Sequence, residues 1–180
     1  MAGQAVKALK SGTVAAMAIE PLDNDGWGFT TNCFVCEQRN TAGLRVPFFH
    51  DTQRSVVLGE FILGNEFSGA PTLIHGGVSL AICDEAMAWA TIAVQHKWAV
   101  TKSSTAQFER PVFVNKPYRV EARITGSDGD HLILVEAEII STERQKRSVY
   151  TTAVMSIVTE VQAPSLGIDL HQHHADYLRP

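Results

Sequence analysis

An α+β fold is expected from three features of the sequence: one long apolar segment of helical character, a run of strand-like segments behind it, and short polar links between those strands. The apolar segment is "HGGVSLAICDEAMAWATIAVQHKW", with the helix expected over about 76–97. Its apolar residues lie nearly all round, so such a helix must be covered on most sides. A curved antiparallel β-sheet wrapped around a long central helix provides that cover.

Ahead of the helix, residues 1–26 are mixed, with a helical candidate from Ala5 to Ala18 that ends near Pro21. "WGFTTNCFVCEQRNTAGLRVPFF" reads as a turn-rich stretch, and "RSVVLGEFILG" (54–64) as the first strand. "NEFSGAPT" is a loop whose turn chemistry is Gly69 and Pro71. Four strands are expected after the helix. "VTKSSTAQFERPVF" is bent or ended by Pro111. "YRVEARITG" alternates, with Tyr118, Val120, Ala122 and Ile124 on one face. "HLILVEAEIIST" and "SVYTTAVMSIVTEV" follow, and the links "SDGD" and "ERQK" are short enough for hairpins. One domain is expected over 27–162, between an N-terminal segment, 1–26, and a weakly structured tail, 163–180.

The bulk properties exclude several function classes. Hydrophobic residues make up 45% of the 180, enough for a core. A formal net charge of -4 argues against a nucleic-acid surface. No charge-free apolar run reaches the length of a membrane span. The N-terminus lacks a sustained apolar stretch, and an odd count of 3 cysteines makes no disulfide framework. A reducing cytoplasm is the expected compartment.

The chemistry concentrates where it is costly. Asp84 and Glu85 sit inside the most apolar segment, and an unpaired buried carboxylate costs several kcal/mol. Free N–H groups and the positive dipole end at Gly76 and Gly77 could stabilise a developing oxyanion. Spacing constrains the pair. His75 and Asp84 are nine residues apart, about 13.5 Å along a helix and half a turn out of phase. One helix cannot aim both at the same carbonyl, whereas a second copy, antiparallel across a two-fold axis, can.

The order of these pieces resembles a known family. A strand, an "HGG" helix with an acid nine residues after the His, and "VTKSSTAQFERP" are similar to the hot-dog-fold acyl-CoA thioesterases, in particular the phenylacetyl-CoA type and its animal thioesterase relatives. The likeness covers roughly 30–160, and "CFVC…GL" occurs in a branch of that superfamily. It implies that Asp84 is the catalytic carboxylate, as nucleophile or as base for water. It further implies that the Gly76 or Gly77 amide meets the thioester carbonyl, and that Thr101 supplies an orienting hydroxyl. Where many members carry Asn or Gln six residues before the His, this chain has Gly69, so His75 or a backbone amide would take over that work. The expected partners are an acyl-CoA substrate and further copies of the chain, with a dimer required and a tetramer expected. Lys102, Arg110 and Lys116 are candidates for the CoA phosphates.

Plainer readings stand beside these. Asp84 could be a structural acid paired with Arg110 or Lys102, Glu85 a structural or solvent-facing acid, and His75 an anchor for the turn. Cys33 and Cys36 form a CxxC, but a closed zinc site takes four ligands and only two are local. The pair therefore reads as reduced structural thiols. Neither metal nor cofactor is expected, although His50 or the tail histidines His171, His173 and His174 could complete a zinc site. "HGGVS" is not a nucleophile elbow around Ser79, and no phosphate loop is present. Two rival functions remain: a hot-dog enoyl-CoA hydratase or dehydratase, and a non-catalytic acyl-CoA-binding domain.

Overall fold

The computed structural model describes residues 19–24 and 31–168. The Ala5–Ala18 helical candidate and the tail histidines lie outside them.

Seven strands form one antiparallel sheet in the order β1-β2-β3-β7-β8-β9-β6. These are β1 (Ile19–Leu22), β2 (Phe48–Asp51), β3 (Val56–Ile62), β6 (Ala99–Phe108), β7 (Pro117–Asp128), β8 (Leu132–Ser141) and β9 (Lys146–Ile157). A second, two-stranded sheet pairs β4 (Ser68–Ala70) with β5 (Leu73–Ile74) and leads into α1 (Gly76–Gln95). The expected helix and the five longer strands are in place. β1 and β2 are corrections to the sequence reading, which had no strand before Arg54. Each is four residues long and has a proline in it or just before it. Local pattern cannot identify such pieces, because they become strands by pairing, β2 onto β3 and β1 onto β2.

The sheet curves around α1. Along β8 the alternation is complete, with Ile133, Val135, Ala137, Ile139 and Ser141 turned inward and buried. The four apolar ones meet Ile82, Cys83, Ala86, Met87 and Ala90 of the helix in one core that also contains Val57, Val120, Val149 and Met155. By length and composition α1 could cross a membrane. Here it is the core helix of the sheet. On the outward face, Arg123 bridges Glu136 at 3.0 Å and Glu138 at 3.3 Å, and Arg147 reaches Glu138 at 3.6 Å. These pairs connect β7, β8 and β9 across their ladders and favour the observed register.

β6 closes one end of the sheet. From Val100 to Phe108 every residue is exposed except the half-buried Ala106. A ten-residue edge strand with backbone groups unpaired among the described residues and large apolar side chains at both ends is a ready template for another chain.

Candidate functional site

His75 is the N-cap of α1. Its Nδ1 accepts the Gly77 N–H at 2.9 Å, and its carbonyl accepts Val78 at 2.9 Å and Ser79 at 3.2 Å. Three first-turn amides are thereby engaged. The Gly76 N–H is the one left without an acceptor among the described residues, so of the two candidate glycines it is Gly76 that can donate outward. Because His75 Nδ1 is an acceptor, a neutral ring carries its proton on Nε2.

Gly69 holds this corner together. A Cβ there would stand 3.0 Å from both the Cα and the Cδ2 of His75. The missing Asn or Gln therefore has a packing counterpart, since the histidine occupies the space a side chain at 69 would need. Gly69→Ala is expected to destabilise the protein by about 1–3 kcal/mol, the usual cost of overpacking. A thermal melt followed by circular dichroism measures it, and an unchanged midpoint would mean that both the His75 backbone and its ring give way without cost.

Asp84 lies two turns further along α1, half-buried, on the side facing β6. Thr101 Oγ1 donates to its Oδ1 at 2.6 Å and stands 3.4 Å from Met155 Sδ. The next residue, Lys102, is the extra residue of a β-bulge between Thr101 and Ser103. Bulges bend a strand and re-aim its neighbouring side chains. This one follows directly on the hydroxyl that meets the helix, a feature without a signature in the sequence. Asp84 has no ion pair among the described residues; neither Arg110 nor Lys102 partners it.

The cationic candidates are spread along the rim. Arg110 Nη1 donates to the Arg147 carbonyl at 2.6 Å and meets Glu109 at 3.3 Å, while Lys116 pairs with Glu143 at 3.4 Å. The segment between them runs beside β5, with the Ile74 N–H on the Val112 carbonyl and the Val114 N–H on the Thr72 carbonyl. Arg110 and Lys116 thus flank a segment at the entry to α1, and Lys102 lies near Asp84. Phe108, the last residue of β6, borders Gly76: its ring atoms are 3.4 and 3.6 Å from where a Cβ on that glycine would be. One exposed strand therefore touches the carboxylate near its start and the helix N-terminus at its end.

Glu85 points elsewhere. Its carboxylate lies with the Cys33 and Cys36 thiols, the three ligand atoms all within 4.8 Å of one another. Both cysteines are free thiols, and Glu85 is half-buried against them rather than solvent-facing. His50 is not part of the group; it is buried in β2. Only the fold could reveal the cluster, because Glu85 is 49 positions from Cys36 in the chain. Burial and the neighbouring Cys33 raise the Glu85 carboxyl to about 7. Hydrogen bonding from the Cys36 side chain and from the Cys36 and Val35 amides lowers Cys33 to about 5, against the effect of burial, and Cys36 is pushed upward. Cys83 is buried in the core, with its thiol raised to about 12 by burial.

Residues 72–148, which run from β5 through α1 to the start of β9, match the family model described as the Thioesterase superfamily. This stretch, less than half of the chain, is similar to the thioesterase superfamily. The fold is the hot-dog fold of its solved members. A crystal structure of a thioesterase superfamily protein superposes with a TM-score of 0.63 at 21% identity, covering 68% of this chain and 61% of that one. The chain thus spans less than two thirds of that relative's length. The E. coli PaaI protein from the phenylacetic acid degradation operon gives a TM-score of 0.53 at 20% identity, over 58% of this chain and 74% of its own. A Streptococcus mutans protein bound to acetyl-CoA gives 0.53 at 15% identity, over 58% and 82%. No curated protein sequence matches the chain. The family match agrees with the helix, the "HGG" turn and the Ser/Thr strand as read from the residues.

Proposed function

We propose that the protein is an acyl-CoA thioesterase whose carboxylate is Asp84, working at a site shared by two copies of the chain. The observation that carries this reading is the 2.6 Å hydrogen bond from Thr101 to Asp84, on the helix face beside an exposed edge strand. A carboxylate with one oxygen fixed by a hydroxyl keeps the other free for a water or a thioester carbon. Asp84 acts either as general base for water or as nucleophile through an anhydride that water then opens. The carbonyl oxygen, gaining charge, is met by the Gly76 N–H at the positive end of a helix, with the His75 Nε2–H close by. The acetyl-CoA held by the Streptococcus mutans protein supports a CoA thioester as the substrate class.

Within one chain the amide and the carboxylate remain about 12 Å apart along α1. β6 supports a way to join them across subunits. Thr101 marks the carboxylate and Phe108 marks the helix N-terminus. Two β6 edges paired antiparallel about an axis between Ser104 and Thr105 would set 101 of one chain opposite 108 of the other. That brings each Asp84 towards its partner's Gly76 and covers the exposed strand.

A panel of acyl-CoAs with free-thiol detection tests the activity. Release of CoA from at least one acyl chain is expected. Tight binding of acyl-CoA without turnover of any would favour the binding-domain rival. Within the site, Thr101→Ala is expected to slow turnover on the order of tenfold, because a positioning hydroxyl assists the carboxylate rather than replacing it. Wild-type turnover in that variant would reduce Thr101 to a strand residue.

A further inference from the structure

The Cys33, Cys36 and Glu85 cluster has no task in thioester hydrolysis as derived above, yet its geometry is specific. Cys33 Sγ accepts the Val35 N–H at 3.3 Å and the Cys36 N–H at 3.4 Å, so the turn of Phe34 to Cys36 folds its amides over one sulfur. Amides directed at a sulfur in this way stabilise a thiolate and leave its remaining lone pairs free. The turn is fixed from behind, with the Leu44 N–H on the Phe34 carbonyl at 2.8 Å and the Val46 N–H on the Val35 carbonyl at 2.9 Å. Both sulfurs are therefore presented on one side. The third donor comes from α1, and no lysine or arginine pairs with Glu85 among the described residues.

We propose that Cys33, Cys36 and Glu85 together bind one thiophilic divalent cation of the zinc type, tying the 31–46 segment to α1. The dimensions fit. Bonds of about 2.0–2.3 Å at tetrahedral angles place donor atoms about 3.5–3.8 Å apart, so small side-chain rotations from the present spacing suffice. Two sulfurs select zinc over magnesium or calcium, which take all-oxygen shells. Binding forms two metal–sulfur bonds and one metal–oxygen bond, and the thiol protons leave to solvent. A fourth position opens on a cavity of about 210 Å³ lined by Thr31, Ala88, Trp89 and Trp98 together with Cys33 and Glu85, with room for a water ligand. Asp84 is next to Glu85 in sequence but faces β6. The ion is accordingly a structural tie, which fixes the rotation of the helix that carries Asp84.

Cobalt(II) is the probe, because its thiolate complexes absorb in the near ultraviolet. The full chain, stripped with a chelator and kept reduced, is expected to take up one equivalent with a thiolate-to-cobalt band. Zinc should displace the cobalt, and the melting temperature should rise on zinc addition. Cys33→Ser and Cys36→Ser should each lose the band and the stabilisation. Glu85→Gln should keep a thiolate band but bind at least about tenfold more weakly. Far-UV circular dichroism checks that each variant is folded, and the wild-type titration stands without them. A fully reduced wild-type chain that gives no band, or a folded Glu85→Gln that binds as tightly as wild type, overturns the site. So does a chain that binds no metal but readily loses two hydrogens by mass on mild oxidation, which would make the pair a redox couple. Each readout is independent of acyl-CoA turnover.

Discussion

Asp84→Asn is expected to lower thioester turnover by about 10²-fold or more, the range for loss of a general base or nucleophile. The substitution keeps volume and still accepts the Thr101 hydroxyl, so the 2.6 Å contact can persist while the charge is lost. Asp84 has no ion pair to break among the described residues, and the fold should hold. Steady-state rates with the best acyl-CoA, beside a circular-dichroism melt, make the comparison. A variant that melts like wild type and also turns over like wild type would remove Asp84 from the mechanism.

Complementation between two inactive chains should restore a site, and this is the sharper test of the shared geometry. One chain carries Asp84→Asn; the other carries Gly76→Val, which places a branched side chain at the helix N-terminus, where the Phe108 ring is the nearest neighbour among the described residues. Each homodimer should be inactive. The mixed dimer contains one site with both changes and one with neither, so up to about half the wild-type activity per mixed dimer is expected if the sites are independent. A mixed dimer shown by mass to form, yet as inactive as its parents, would place amide and carboxylate within one subunit and refute the pairing of β6 edges.

Much of this was legible in the chain because the relevant signals are local. The helix from Gly76 to Gln95 is announced by its length, its apolar residues and the His-Gly-Gly that starts it. The inward residues of β7 and β8 follow from period-two alternation, with Glu121 the exception: it is buried on β7 and held by Arg54 at 3.4 Å and Arg119 at 2.8 Å. That ion pair could not be read locally, because Arg54 lies 67 residues away. β1 and β2 were missed for the same kind of reason, being too short to carry a pattern of their own. Of the candidate site residues, Asp84 and Thr101 meet, while Gly76 stands at the far end of the same helix.

By itself the sequence determined the α+β class, the central helix, and the two facts that demand explanation: carboxylates in an apolar segment, and a helix too long to aim both its amides and Asp84 at one carbonyl. Periodicity and rise per residue are properties of the chain, so they can be read from it. Tertiary structure decided the rest. It set a bulge beside Thr101, packed Gly69 under His75, and left β6 as an exposed edge. It also brought Glu85 to Cys33 and Cys36. The reason is common to all of these. Which polar group meets which depends on the curvature and register of the sheet around the helix, and those are set by packing between segments distant in the chain, not by any one segment's composition.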